Sequence, residues 1–127
     1  MALESKTINY RDIHYECSVA GMKDDDSALN WLNSGVLNGD VVIDGIHILN
    51  WSTSTTKSQV SSSADLSQIK QALSYDRDYV SAIIVKCKYK SRPIKIELDL
   101  EDYVVNIFVR RNSPIDEMEL LKVLKLD

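Results

Sequence analysis

The chain has 127 residues, of which 44% are hydrophobic and 27% charged, and its formal net charge is −4. That size and balance describe one domain, residues 1–127, burying roughly two-thirds of its unfolded surface around a single core. They exclude wholesale disorder and a collagen-like chain, and the negative charge disfavours general nucleic-acid binding, which depends on neutralising phosphates.

The first predicted element is extended chain over Thr7–Val19. Ile8 and Tyr10 share one parity, whereas Ile13, Tyr15, Cys17 and Val19 share the other. The slip at Arg11-Asp12 marks a bulge or a tight turn, so the segment is one bulged strand or a short strand leading into a longer one. Asp24-Asp25-Asp26-Ser27 then reads as a helix start, because carboxylates accept the free N–H groups of a first turn and suit the positive end of the dipole. Leu29, Leu32 and Val36 form a stripe with Trp31 beside it, and the helix is expected to end between Ser34 and Asn38.

Val41–Trp51 follows, with Asp44-Gly45 between two apolar runs. This pair is a hairpin signal, since glycine accepts the positive φ of a two-residue turn. Residues 52–63 are rich in Ser and Thr and read as a flexible connector, the Thr-rich first half being an alternative continuation of the strand. A second helix is expected with Ser63 as its cap, Leu66, Ile69, Ala72 and Leu73 as its apolar face and an end near Ser74–Asp76.

Three strands come next. Ser81–Lys90 alternates apolar and charged residues, Ile94–Leu100 alternates without a fault, and Tyr103–Val109 is apolar on both faces. Their period of two aims Ile83, Val85, Cys87, Tyr89, Ile94, Ile96, Leu98 and Leu100 at the core. Turns are expected at Ser91-Arg92-Pro93 and Glu101-Asp102. Ser113-Pro114-Ile115-Asp116 opens a last helix, with Ser113 as cap, Pro114 at the first position and Ile115, Met118, Leu121 and Leu124 as its buried stripe, widened by Leu120. The order β-α-β-β-α-β-β-β-α implies an α+β fold, a mainly antiparallel sheet of about five to six strands with two to three helices on one face.

No segment approaches the ~18–20 apolar residues that span a bilayer, and the start Met1-Ala-Leu-Glu-Ser-Lys-Thr has neither a basic n-region nor an apolar h-region. The expectation is a soluble cytoplasmic protein without a membrane partner. Cys17 and Cys87 are too far apart in sequence for a metal or redox motif and read as buried reduced thiols. No cofactor, metal or nucleotide motif occurs, and catalysis is not expected. His14 and Glu16 lie on one strand face, an acid–base pair in principle but an ordinary surface arrangement in most proteins.

Charge is unevenly placed: residues 1–80 carry eleven acidic against six basic side chains, residues 81–127 eight against nine. A small acidic chain of this kind has the profile of inhibitors, antitoxins and immunity proteins, which occlude a partner protein, here a basic one. Asp24, Asp25, Asp26, Asp44 and Trp51 are the candidate partner-binding residues, the carboxylates as steering charges and Trp51 as an anchor at the mouth of a polar loop. One alternative is a self-associating assembly subunit that pairs through Tyr103–Val109 as a strand edge. The other is an anionic-ligand or nucleic-acid surface formed by Lys86, Lys88 and Lys90, against which the ordinary explanation is cross-strand pairing with Glu97 and Asp99. Tyr89 points to the opposite face, so aromatic interleaving is weak there.

Overall fold

A computed structural model describes residues 3–8, 12–50, 56–75 and 77–126, with the side chains of 3–8, 50 and 56–59 left aside. The elements follow one another as β1 (Leu3–Ile8), β2 (Asp12–Cys17), α1 (Asp25–Leu32), β3 (Val42–Asn50), β4 (Thr56–Val60), α2 (Leu66–Tyr75), β5 (Val80–Tyr89), β6 (Arg92–Asp99), β7 (Val105–Arg110) and α3 (Glu117–Val123). The strands form one seven-stranded sheet in the order β1-β2-β7-β6-β5-β3-β4, antiparallel at every pairing. The α+β class and the alternation of strands with three helices are those read from the sequence. Of the two readings of the first segment, two successive strands are found, β1 and β2, paired with each other; Thr56–Val60 adds a further strand and Val42–Asn50 is one strand where a hairpin of two was expected.

The strict alternation of β5 and β6 sets the register. Cys87 lies opposite Ile94, Val85 opposite Ile96 and Ile83 opposite Leu98, and all six are at most 3% exposed. Val105, Ile107 and Val109 of β7 and Ile46 and Ile48 of β3 continue this apolar side. Leu29, Leu32 and Val36 cover it from α1 and the turn after it, Ile69 and Leu73 from α2, and Leu120, Leu121 and Leu124 from α3. The helices therefore occupy one side of the sheet only, with both cysteines buried as free thiols beneath them. Burial pushes the Cys87 thiol up to about 12.

Helix α1 is capped by Asp24, whose side chain accepts the Ser27 N–H at 2.9 Å while Ser27 Oγ accepts the Asp24 N–H at 3.1 Å. It passes into a π turn over Asn33–Leu37, closed by a bond from Asn38 N–H to Asn33 O. Gly35 lies in that turn because nothing larger fits. A Cβ there would stand 2.6 Å from Leu124 O and 2.9 Å from Trp31 Nε1. Trp31, buried, donates to the same Leu124 carbonyl at 2.9 Å. That carbonyl thus ties α1 to the last turn of the chain.

Several local expectations are corrected. Asp44-Gly45 is not a turn. It sits inside β3, where pairing with β5 continues on both sides and one extra residue is accommodated as a bulge between Ile43 and Gly45. Pairing along two neighbours, β5 and β4, outweighs the local turn preference. Thr56–Val60, read as part of a flexible connector, is strand β4 and pairs with β3 from Ile46↔Val60 to Asn50↔Thr56. Residues 51–55 lie outside the described residues.

The caps of α2 and α3 are Asp65 and Asp116, not Ser63 and Ser113. Asp65 Oδ1 accepts the Gln68 N–H at 3.0 Å, and Gln68 Oε1 accepts the Asp65 N–H at 3.0 Å; Asp116 accepts the Glu119 N–H at 3.2 Å. A carboxylate nearer the apolar run supersedes the serine. Starting α3 later leaves Ile115 as a buried anchor ahead of the helix and turns Met118 outward, 71% exposed. The β5–β6 turn is Lys90-Ser91, both at positive φ (49° and 68°), so Arg92 and Pro93 open β6. Tyr103–Val109 offers no edge, because β7 lies between β2 and β6; the sheet's edges are β1 and β4. No helix of the described residues is long and apolar enough to cross a membrane.

Candidate functional site

The side of the sheet opposite the helices carries the alternate residues of the same strands. The register places His14 of β2, Phe108 of β7, Lys95 of β6 and Lys86 of β5 in one row across it. The neighbouring row toward one end holds Asp12, Arg110, Pro93 and Lys88, with Asp44 at the bulge of β3. Next to the row on its other side come Glu16, Asn106, Glu97 and Ile84. Ile84, between Glu97 and His47, is 4% exposed on this open face and lies outside the main core.

Phe108 is the centre of the row. The His14 ring stacks on it with centroids 4.5 Å apart and planes inclined by 7°. His14 is held in that plane by Asn106, to whose Oδ1 its Nε2–H donates at 2.8 Å. From the other flanking strand Lys95 places Nζ 5.0 Å from the centre of the Phe108 ring, a cation–π contact. Asp12, Asp44, Lys86, Lys95, Phe108 and Arg110 line a groove of about 420 Å³ here, within the size range of small-ligand clefts.

The groove's two carboxylates are directed to cations at its rim. Asp12 meets Arg110 at 3.4 Å and Asp44 meets Lys88 at 3.9 Å. Lys86 and Lys95, directly opposite each other at the centre, form no ion pair among the described residues. The expected pairing of these lysines with Glu97 and Asp99 does not occur, because the β5–β6 register sets Glu97 against Ile84 and Asp99 against Ala82. Lys90 leaves this face altogether. Its position in the turn sends it to Glu119 of α3 at 3.3 Å, where Tyr89 OH also donates to Glu119 at 2.6 Å. Those two bonds hold the Glu119 carboxyl below its usual range.

The acidic candidates lie on the helical side, apart from the groove. Asp24 is the cap of α1. Asp25 accepts two bonds from Arg77, at 2.5 and 2.6 Å, and one from Tyr103 OH at 3.0 Å. Arg77 also donates to the carbonyls of Val80 at 3.2 Å and Leu100 at 3.3 Å. The Arg77 bonds hold the Asp25 carboxyl below its usual value. Asp26 is exposed beside them, at the rim of a recess of about 200 Å³ between α1 and α2 that Lys70 and Leu73 also line. The structure thus brings Asp24, Asp25 and Asp26 together, gives the first two structural tasks and places Asp44 on the opposite face. Trp51 lies outside the described residues. Among the described residues no three His, Cys, Asp or Glu side chains gather as a metal set.

Asp12, Phe108 and Arg110 are members of the groove that sequence reasoning did not assemble with the lysine face, whereas Lys95 lies just past that face in the sequence. The signal was the outward parity of Asn106, Phe108 and Arg110, hidden because Tyr103–Val109 reads as apolar throughout. Comparison with protein-family models, with curated proteins and with solved structures finds no match for this chain.

Proposed function

We propose that this chain acts by binding and not by catalysis, as a module that meets and occludes another protein with the open face of its sheet. The observation that carries the reading is the basic groove at Phe108, where opposed Lys86 and Lys95 form no ion pair among the described residues. Like charges directly opposite one another on a sheet are destabilising, so a fold that keeps these two unpaired, while the groove's carboxylates Asp12 and Asp44 turn to Arg110 and Lys88, retains them at a cost in stability. Of the groove's members, the aromatic Phe108 and the rim arginine Arg110 are types enriched at interfaces. Asp24 and Asp25, occupied by a cap and by Arg77, are less available for a basic partner than their sequence position implies.

Photo-crosslinking tests the reading. A photoreactive residue in place of Lys88, at the groove, is expected to give a discrete protein adduct in cells of the native host. The same residue in place of Met118, exposed on α3, is expected to give none. Adducts from position 118 alone would move the binding surface to the helical side.

A further inference from the structure

Resting on the reading of the open face as a binding surface, we infer that the groove is a clamp for carboxylates of an acidic segment of the partner protein. Lys86 and Lys95 approach from adjacent strands at directly opposed positions, where Cβ atoms stand about 4.5–5.5 Å apart. That spacing lets both ammonium groups reach one carboxylate, which neutralises their mutual repulsion and forms charge-assisted hydrogen bonds. Lys95 has three N–H donors, so its contact with the Phe108 ring, on the side of β6 away from Lys86, still leaves donors for a carboxylate. Arg110 on the adjacent row, already paired with Asp12 through one side of its fork, can present its remaining N–H donors to a second carboxylate.

Two observations favour acidic protein over nucleic acid. Binding of single strands needs rings with a free face for bases, whereas His14 and Lys95 approach the Phe108 ring from the two strands that flank it. Asp12 and Asp44 at the rim and the net charge of −4 also oppose a continuous phosphate backbone. A few carboxylates on an otherwise mixed segment meet the two central ammonium groups without that repulsion.

Amide and lysine Nζ NMR titration of the whole chain with a capped six-residue peptide carrying two glutamates among glycines tests the clamp, with a six-residue oligothymidylate and inorganic phosphate as the comparison arms. The glutamate peptide is expected to shift the Lys86, Lys95, Phe108 and Arg110 signals saturably. The double change Lys86→Gln, Lys95→Gln is expected to weaken it about tenfold or more, whereas Asp26→Asn leaves it unchanged. Lys95→Arg, which keeps the charge, is expected to retain binding, and a dispersed spectrum certifies that each variant is folded. Shifts centred on α1, no saturation, or an affinity that the double change does not lower would overturn the clamp. Tighter binding of the oligonucleotide would replace it with a nucleic-acid surface, and phosphate binding as tightly as the peptide would reduce it to a simple anion site. Crosslinks from position 88 without peptide binding remove the clamp and keep the interface; peptide binding without crosslinks does the converse.

Discussion

Single residues in this protein act as joints between distant segments. Gly35 lets the end of α1 close on the Leu124 carbonyl, and an added methyl there would meet backbone oxygen at 2.6 Å, which a flexible side-chain shift cannot relieve. Gly35→Ala is therefore expected to destabilise the fold by about 1–3 kcal/mol, read as a lower denaturation midpoint with an unchanged slope. Asp25 is a second joint, joining α1 through Arg77 to the carbonyls of Val80 and Leu100. Its folded carboxyl titrates below the ordinary value of 3.8. A depressed folded pKa contributes stability that is present above the unfolded value and lost as pH falls through the folded one. Asp25→Asn is expected to lower the thermal midpoint at neutral pH and to make the acid limb below about pH 4 shallower. Asp24, Asp65 and Glu119 are also held low, so some acid sensitivity persists. An acid limb identical to that of the parent would show that the Asp25–Arg77 contact carries no stability.

At the scale of elements, β5 and β6 are the most faithfully encoded pair, and their turn is the least favourable local feature. Two-residue hairpins want Asn-Gly or a similar pair, because both central residues need positive φ. Here Lys90 and Ser91 adopt it at 49° and 68°. Ser91→Gly is expected to stabilise the protein by about 0.5–1 kcal/mol; a loss of stability would mean that the turn is held by something other than pairing of its strands. In the body of the pair, Ile96 is fully buried, and Ile96→Ala is expected to cost about 2–4 kcal/mol from lost burial and the cavity left behind. An unchanged midpoint would place Ile96 on the open face and the register one residue off.

For the whole molecule, the consequence of the topology is a two-sided sheet with unequal coverage. Three helices hide one side, while the other presents a row of rings and cations whose central lysines repel each other. Stability and binding should therefore trade against one another. Lys86→Glu sets a carboxylate opposite Lys95 and is expected to raise stability by about 0.2–1 kcal/mol, while abolishing binding of the glutamate peptide. Equal or lower stability, measured by thermal unfolding at low salt, would show that the opposed lysines are not under repulsion.

Elements whose signals are local and repeated were legible in the order of the amino acids. Strict alternation placed the core residues of β5 and β6, and carboxylates before an apolar stripe started α1, because period and capping act within a few residues. Tertiary structure decided everything that depends on which strand lies beside which. Asp44-Gly45 carries a turn signal, yet it became a bulge because β3 gains more from ladders with β5 and β4 than from folding back. The lysines of β5 were expected to meet Glu97 and Asp99, yet Lys86 faces Lys95, since a register shift of two residues keeps every apolar side chain inward and only the cross-strand partners change. The groove exists because β7, last of the strands in sequence, inserts between β2 and β6 and brings Phe108 and Arg110 beside Lys95 and His14. No local pattern specifies that insertion; it follows from the pairing that buries the apolar faces of all these strands beneath the three helices.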